Sequence, residues 1–363
     1  MSNDFNSAMR RASKLVQAGN PAGATEMIQK ALAKGGLSSP SGSLEPAVNS
    51  FDGAKVGRSL RETLASLGTL PPSGIPSADV TEPPLPQGAR FDGGTFTCAQ
   101  GSRDYRLYIP DLKGAAAKGL IMMLHGCTQS PVDFAKGTGM NGLADQHGVI
   151  VVYPAQSRGA NMQSCWNWFG PADQMRDAGE PAILAGLAQQ MLRDHAIPQG
   201  ACFVAGLSAG AAMAVILGQT HADVFSAVGA HSGLPYRAAH DVPSAFAAMG
   251  SGGARGQNTQ PIPTIVFHGD ADSTVHHTNG RGIAEAAATG PQVVDDGTAG
   301  KRRFARNTVL SPDGHPVMEH WTIAGLGHAW SGGNVTGSYT DPNGPDASAE
   351  MMRFFLSLPL KDV

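Results

Sequence analysis

The chain has 363 residues, a net charge of −3 and an ordinary apolar content, and its charged residues are somewhat sparse. This length allows one large domain or two modest ones. The small net charge argues against a nucleic-acid partner or an anionic membrane surface. Glycine (47) and proline (25) together make up about a fifth of the residues, so we expect many tight turns.

The N-terminal stretch MSNDFNSAMRRASKLVQAGN has no apolar core of secretory length followed by a cleavage site. No other apolar run reaches membrane-spanning length. We therefore expect a soluble, cytoplasmic protein, with secretion as the less favoured alternative. The four cysteines are too few for a disulfide scaffold and lack metal-ligand spacing, so buried thiols and no metal are expected. These cysteines are Cys98, Cys127, Cys165 and Cys202.

Three zones follow one another along the chain. Residues 6–33 carry apolar side chains at helical spacing on both sides of the segment AGNPAG, which predicts a helical hairpin over residues 1–34. Residues 35–88 are rich in serine, proline and glycine, which is typical of a linker. The candidate catalytic residues all lie in the third zone, residues 89–363.

Strand-like and helix-like segments alternate from residue 89 onward. The patterns predict strands at RDYRLYIP, GLIMMLHG, GVIVVYP, ACFVAGLS, FSAVGAHSG and PTIVFHGD. Amphipathic segments predict helices near 133–147, 179–195 and 209–220, and a hairpin is expected from RFARNTVL and VMEHWTIAG, joined at SPDGH. Buried strands separated by helices imply a mostly parallel sheet with both faces covered, that is, an α/β protein.

A lone serine lies in the segment GLSAG, residues 206–210, which fits the pattern G-x-S-x-G. The segment lies where a strand gives way to a helix, as this motif requires. A sharp turn there would hold the Ser208 hydroxyl at the carboxyl edge of the sheet. An ordinary strand-to-helix turn is the alternative. A serine nucleophile also needs a base, and the base needs a third group to orient it.

An acid and a histidine follow Ser208 in the expected order. Of the two carboxylates after the strand PTIVF, we favour Asp272, because a group a few residues past the strand can reach back to the histidine. Asp270 is better placed to cap the turn, and capping is the alternative for either residue. Among the twelve histidines, His328 is the favoured base, because it lies in a glycine-rich loop after the last predicted strand.

Acyl transfer also needs hydrogen-bond donors for the oxyanion that forms on the substrate. The Ala209 N–H, directly after the serine, is one expected donor. The Cys127 N–H, directly after the strand GLIMML, is the other. Cys127 could instead be a nucleophile, but no base partner is evident in the sequence order.

Two further segments are candidates for shaping a substrate pocket. Residues 164–169, SCWNWF, place three aromatic side chains within four positions, either as core packing or as the wall of an acyl pocket. Residues 234–261 interrupt the strand pattern where a cap over the site is expected, and their glycine-rich sequence suits a small mobile lid. An exposed loop is the alternative for this second segment.

Six motifs occur together in one order: LHGCTQ, GVIVVYPAQ, CWNWF, GLSAGAAMA, HGDADSTV and GLGHAWSGG. Over residues 89–357 the chain resembles the poly(3-hydroxybutyrate) depolymerase family of esterases, which includes feruloyl-type esterases. The resemblance implies an α/β-hydrolase fold. It also implies the triad Ser208, Asp272 and His328, the oxyanion donors Cys127 and Ala209, and substrate contacts from Trp166 and Trp330.

The resemblance has two further implications. In the family's topology Cys127 and Cys165 follow neighbouring strands, and we hypothesise that they lie close enough to form a disulfide. The hairpin over residues 1–34 resembles the leader helices of unsecreted bacterial members. It is therefore a candidate for contact with a polyester granule surface or with a second copy of the chain.

The sequence thus predicts a serine esterase that works through an acyl-enzyme and needs no metal or organic cofactor. The expected substrates are hydroxyalkanoate oligomers or polyester, or short-chain and aryl esters. A feruloyl-type esterase, or another acyl-transfer enzyme with the same triad, is the alternative. A non-enzymatic granule-associated protein is a more distant one.

Overall fold

The computed structural model describes residues 82, 84–253, 261–288 and 290–359. The predicted hairpin over residues 1–34 and nearly all of the predicted linker lie outside the described residues. All described residues belong to one compact unit, Gly57–Val363. None of the helices in this part of the chain is long and apolar enough to cross a membrane.

Ten strands form one sheet in the order β1-β2-β4-β3-β5-β6-β7-β10-β9-β8. The six central strands, from β4 to β10 in this order, pair in parallel, and two antiparallel strands extend each edge. The short strands β11 and β12 form a separate parallel pair. The strands are β1 (Arg90–Cys98), β2 (Gly101–Ile109), β3 (Gly119–Leu124), β4 (Val149–Pro154), β5 (Cys202–Leu207), β6 (Ala227–His231), β7 (Thr264–Gly269), β8 (Gln292–Ala299), β9 (Arg302–Leu310), β10 (Pro316–Ile323), β11 (Trp330–Ser331) and β12 (Thr340–Asp341).

Helices cover both faces of the sheet. The need for two covered faces is evident from strand β3. All of its side chains are buried, and they alternate between two apolar clusters on opposite faces of the sheet. Leu120 and Met122 belong to one cluster, and Ile121 and Met123 belong to the other. Each fully buried side chain of this kind contributes about 1.5–3 kcal/mol relative to an exposed one. The described helices are α1 (Pro131–Thr138), α2 (Met140–His147), α3 (Gly179–Asp194), α4 (Ala209–Thr220), α5 (Val242–Ser251), α6 (Thr278–Ala287) and α7 (Ala347–Ser357).

Two segments differ in detail from the sequence predictions. The helix expected near 133–147 is two helices, because Gly139 adopts a left-handed conformation (φ 64°) and its N–H closes α1 on the Ala135 carbonyl. The segment predicted as a lid contains α5, and Asn279 holds the end of this helix with one bond to the Ala248 carbonyl and one from the Gly253 N–H. Residues 254–260 lie outside the described residues, and a lid role stays a prediction.

The parallel strands bring the candidate residues to one edge of the sheet. Cys127, Ser208 and Asp272 follow strands β3, β5 and β7, and His328 follows β10. In open α/β sheets, ligands bind outside the carboxyl ends of the strands. This edge is therefore the candidate functional site.

Candidate active site

Ser208 occupies a strained turn between β5 and α4. Its φ of 57° and ψ of −120° are unfavourable for a residue with a side chain, and its N–H donates to the His231 carbonyl at 2.9 Å. Glycine is required on both sides: a Cβ on Gly210 would lie 2.1 Å from the Leu124 carbonyl oxygen, and one on Gly206 would lie 2.5 Å from the Gly210 backbone. The small residues therefore let α4 begin directly against the sheet.

Asp272 and His328 form a hydrogen-bonded pair. The His328 Nδ1 lies 2.7 Å from Asp272 Oδ2, and the Asp272 side chain is fully buried while that of His328 is 13% exposed. A carboxylate can only accept, so Nδ1 carries the proton. The other ring nitrogen, Nε2, is then free to accept a proton from a nucleophile.

The surroundings of Asp272 keep its carboxyl ionised. Its Oδ1 accepts the N–H groups of Thr274 and Val275, each at 2.9 Å. Burial alone would raise the pKa of Asp272, but hydrogen bonds from His268 and His328 outweigh it and hold this pKa well below its usual range. His268 Nε2 lies 2.8 Å from the Val275 carbonyl and 3.5 Å from Asp272 Oδ2. The sequence analysis did not single out His268.

Asp270 has a different role. Its Oδ1 accepts the Gly325 N–H at 2.7 Å and so joins the loop after β7 to the loop after β10. The structure therefore brings Asp272, and not Asp270, to His328. Within the described ranges the Ser208 hydroxyl makes no hydrogen bond to His328, although both lie at the same edge of the sheet. Such bonds are often long in free enzymes and tighten when substrate binds.

In the loop after β3, three of the four N–H groups of residues 126–129 have hydrogen-bond partners. The Gly126 N–H donates to Gln129 Oε1 at 2.9 Å, the Thr128 N–H to the Gln163 carbonyl at 2.8 Å, and the Gln129 N–H to the Gly126 carbonyl at 3.3 Å. In the part of the chain that the structure describes, the Cys127 N–H has no such partner. The Ala209 N–H, at the start of α4, likewise has none there, as is usual for the first turn of a helix. Both expected donors are thus available.

Trp166 lies beneath this loop and not on an open surface. Its side chain is fully buried and its Nε1 donates to the His125 carbonyl at 3.1 Å. This side chain therefore holds the loop, and a substrate contact from Trp166 stays a prediction. His125 itself was missed by the sequence analysis. It accepts the Gln156 N–H at Nε2 and lies 2.8 Å from the Gly126 carbonyl at Nδ1.

Trp330 is buried as well, with 1% of its surface exposed. Its Nε1 donates to Ser348 Oγ at 3.0 Å, and its ring stacks on His231. A substrate contact from Trp330 likewise stays a prediction. Burial lowers the pKa of His231 to about 3, so this imidazole is a neutral part of the core, and its Nε2 accepts the Ser331 N–H.

Cys127 and Cys165 are joined by a disulfide across 38 residues. The hypothesis of a bridge between them is confirmed, and the expectation of a buried thiol at each is corrected. The bond ties the loop after β3 to the aromatic segment. It also removes the alternative in which Cys127 is a nucleophile. Cys98 and Cys202 are free, and burial raises the pKa of the Cys202 thiol.

A C-terminal segment, residues 331–348, closes over the loop after β3 and helix α1, and we call it the clasp. Tyr339 OH lies 3.1 Å from Thr128 Oγ1, and Ser348 Oγ donates to the Thr138 carbonyl at 2.6 Å. The loop is therefore held from both sides, by the clasp and by the disulfide. In the described ranges, no group of three or more histidine, cysteine, aspartate or glutamate side chains is arranged to hold a metal ion.

A family model described as Esterase PHB depolymerase matches residues 103–307. The chain is 33% identical over 233 residues to poly(3-hydroxyalkanoate) depolymerase C of Paucimonas lemoignei, covering 58% of this chain and 54% of that protein. It is 28% identical over 241 residues to poly(3-hydroxybutyrate) depolymerase of Ralstonia pickettii, covering 60% and 49%. The chain thus spans about half the length of these curated relatives.

Two more distant similarities extend the comparison. Feruloyl esterase B of Neurospora crassa is 30% identical over 130 residues, which cover 36% of this chain and 43% of that protein. Among solved structures, acetyl xylan esterase from Aspergillus awamori superposes with a TM-score of 0.52 at 17% identity, covering 70% of this chain and 94% of that one. This structural similarity supports the fold alone and, with the sheet topology, confirms the α/β-hydrolase fold.

Proposed function

This chain belongs to the esterase PHB depolymerase family, and we propose that it hydrolyses carboxylic esters through an acyl-enzyme formed on Ser208. One observation carries the proposal. Asp272 and His328 are paired at 2.7 Å, so the proton of the neutral imidazole lies on Nδ1 and Nε2 is its acceptor nitrogen, at the sheet edge where the strained turn holds Ser208. A serine, an oriented imidazole and a buried carboxylate are the components of an activated nucleophile.

The proposed reaction has two halves. His328 Nε2 takes the proton of the Ser208 hydroxyl while Oγ attacks the ester carbonyl carbon. As the tetrahedral intermediate collapses, the alcohol leaves with the proton from His328, and the acyl group stays on Oγ. Water then attacks the acyl-enzyme, giving its proton to His328, and the carboxylic acid leaves as Ser208 regains its proton. Asp272 remains ionised throughout and stabilises the imidazolium.

The negative oxygen that forms in each half is stabilised by the N–H groups of Cys127 and Ala209. Fixed donors cost no reorganisation when the charge develops, and removing one such donor typically costs about 10²- to 10³-fold in kcat. The disulfide, the clasp and Trp166 support the Cys127 donor, while the strained turn and the start of α4 support the Ala209 donor.

We propose esters of hydroxyalkanoate oligomers or polyester, or short-chain and aryl esters, as the substrates. The depolymerase relatives support the first class, and the similarity to a feruloyl esterase supports a feruloyl-type ester as the alternative. A polyester granule surface stays a proposed partner. Its predicted binding element, residues 1–34, lies outside the described residues.

Labelling the full chain with a fluorophosphonate, followed by mass spectrometry, tests the proposed nucleophile. We expect one adduct, on Ser208. The kcat/KM values for short aryl esters, 3-hydroxybutyrate oligomers, a feruloyl ester and matched amides then rank the substrate classes. A folded protein that stays unlabelled would favour a non-enzymatic role, and amide turnover equal to ester turnover would favour another acyl-transfer reaction.

The disulfide leads to a separate prediction about redox state and stability. Denatured, unreduced protein is expected to show two free thiols, Cys98 and Cys202, and reduced protein four. Because the bond closes a loop of 38 residues, replacing Cys127 and Cys165 together with serine should lower the free energy of unfolding by about 4 kcal/mol, as measured with urea. Four free thiols without reductant would contradict the assignment.

This bond also bears on where the protein works. Disulfides persist in oxidising compartments and are rare in the cytosol. We therefore propose an oxidising compartment, in place of the cytoplasmic location expected from the sequence. The thiol count of protein isolated under conditions that trap free thiols distinguishes the two locations.

A further inference from the structure

We propose that Gln129 is a positioning residue for the oxyanion hole. It keeps the Cys127 N–H directed toward the oxyanion without touching the substrate. This inference rests on the proposed function, since it assigns a purpose to the Cys127 donor. Gln129 is buried, with 6% of its surface exposed, and it is the last residue of the motif LHGCTQ. Its side chain hydrogen bonds connect the loop after β3 to α1 and to the clasp.

The peptide between His125 and Gly126 is held on both sides. Its carbonyl accepts Trp166 Nε1–H at 3.1 Å, and its N–H donates to Gln129 Oε1 at 2.9 Å. A peptide unit is planar, so two bonds in opposite directions fix its rotation. Without the Gln129 acceptor, the buried Gly126 N–H would be left without a partner, which is unfavourable, or would rotate to find another.

The next peptide carries the proposed donor. Its carbonyl, Gly126 O, lies 2.8 Å from His125 Nδ1 and accepts the Gln129 N–H at 3.3 Å, and its N–H belongs to Cys127. Gln129 therefore holds both peptides, one through its side chain and one through its backbone. Rotation of either would turn the Cys127 N–H away from the oxyanion, where a donor must lie at about 2.7–3.1 Å to be effective.

Asp133 and Ser338 fix which way the Gln129 amide faces. The Gln129 Nε2 donates to Asp133 Oδ2 at 3.0 Å and to the Ser338 carbonyl at 3.1 Å. Carboxylate and carbonyl oxygens cannot donate, so a flipped amide would place its oxygen against two acceptors. The Ser338 N–H donates to the other Asp133 oxygen at 3.0 Å, which anchors this carboxylate on the clasp. The amide is thus held with Oε1 toward Gly126.

Replacing Gln129 with methionine keeps the length and the apolar volume of the side chain but removes both hydrogen-bonding groups. We expect kcat for a soluble aryl ester to fall about 10- to 100-fold, less than the loss of a whole donor. KM should stay within about twofold, because the interaction is strongest in the transition state. Affinity for phenylboronic acid, which forms a tetrahedral adduct on the serine, should fall by the same factor as kcat.

A charge exchange provides the second variant. Gln129→Glu keeps an acceptor for Gly126 but sets two carboxylates together, so activity should fall at least as far as in Gln129→Met. Adding Asp133→Asn restores a donor between the two side chains, while the Ser338 carbonyl still faces the new carboxylate, so the rescue is partial. The kcat of the double variant should therefore be about tenfold higher than that of Gln129→Glu, and its affinity for phenylboronic acid should be higher by the same factor. If Gln129→Met does not fold, this pair decides the question.

Arg353→Met is the matched control, because it removes the partner of the buried Glu319 carboxylate away from the loop. It should lower stability and leave the kcat of the folded enzyme unchanged. Wild-type kcat and boronate affinity in folded Gln129→Met, or an absence of rescue in the double variant, would overturn the role of Gln129. Continued fluorophosphonate labelling of Ser208 in these variants would show that the proposed function stands even so.

Discussion

Replacing Ser208 with alanine is expected to lower kcat for a soluble ester by about 10⁴-fold or more, while the protein stays folded. The substitution removes one hydroxyl that makes no hydrogen bond within the described residues, so little stabilising interaction is lost. Alanine is also compatible with the close approach of α4 to the sheet. Steady-state kinetics with an aryl ester, together with thermal unfolding, measure the two effects.

Ser232→Ala is the matched control for this substitution. Ser232 follows the neighbouring strand β6 and has a similar positive φ of 53°. Its loss should leave kcat within about tenfold of the wild-type value, which corresponds to about 1.4 kcal/mol in the barrier. Near-normal turnover in folded Ser208→Ala would rule out the proposed nucleophile.

Asp272→Asn is expected to lower kcat by about 10⁴-fold through the wrong imidazole tautomer. Oδ1 accepts two backbone N–H groups, from Thr274 and Val275, so the asparagine oxygen must stay there and its NH₂ group must face His328. The His328 Nδ1 then has to accept, and the ring proton moves to Nε2. An imidazole protonated at Nε2 cannot take the proton of Ser208.

Asp270→Asn is the comparison for Asp272→Asn. The asparagine oxygen can still accept the Gly325 N–H, so kcat should fall far less. Kinetics of both variants at one pH, each checked for folding, give the ranking. The reverse order would show that Asp270 and not Asp272 supports the histidine.

Local signals were enough for the central part of the sheet and for the region of the site. Strands β3, β4 and β5 are continuous apolar runs because both faces of a parallel sheet are covered. The turn at Ser208 was predictable because small residues on both sides are needed where helix and strand meet. The positions of Asp272 and His328 at this edge were predictable because each residue follows the end of a recognisable strand.

Features that depend on distant contacts were less accessible. Strand β1 carries glycine and polar side chains and shows no clean alternation, and β8 is largely exposed, so neither has a strong local pattern. Trp166 packs in an apolar cluster and donates to the carbonyl of His125, 41 residues away, and neither contact is evident from its local sequence. The support of Asp272 by His268 depends on how the loop after β7 folds back, which residue types alone do not fix.

The clasp has a consequence for how the protein folds. Gln129 and Ser338 are separated by 209 residues, and Thr128 and Tyr339 by 211, yet their contacts shape the loop that carries the Cys127 donor. Contacts between residues so far apart in the chain form late and slowly, because the entropy of closing the intervening loop is lost before the contact contributes any stability. A folding chain in which Ser208 and His328 have already reached their positions therefore still lacks the final conformation of the loop after β3. Recovery of activity after denaturation should accordingly report the last stage of folding.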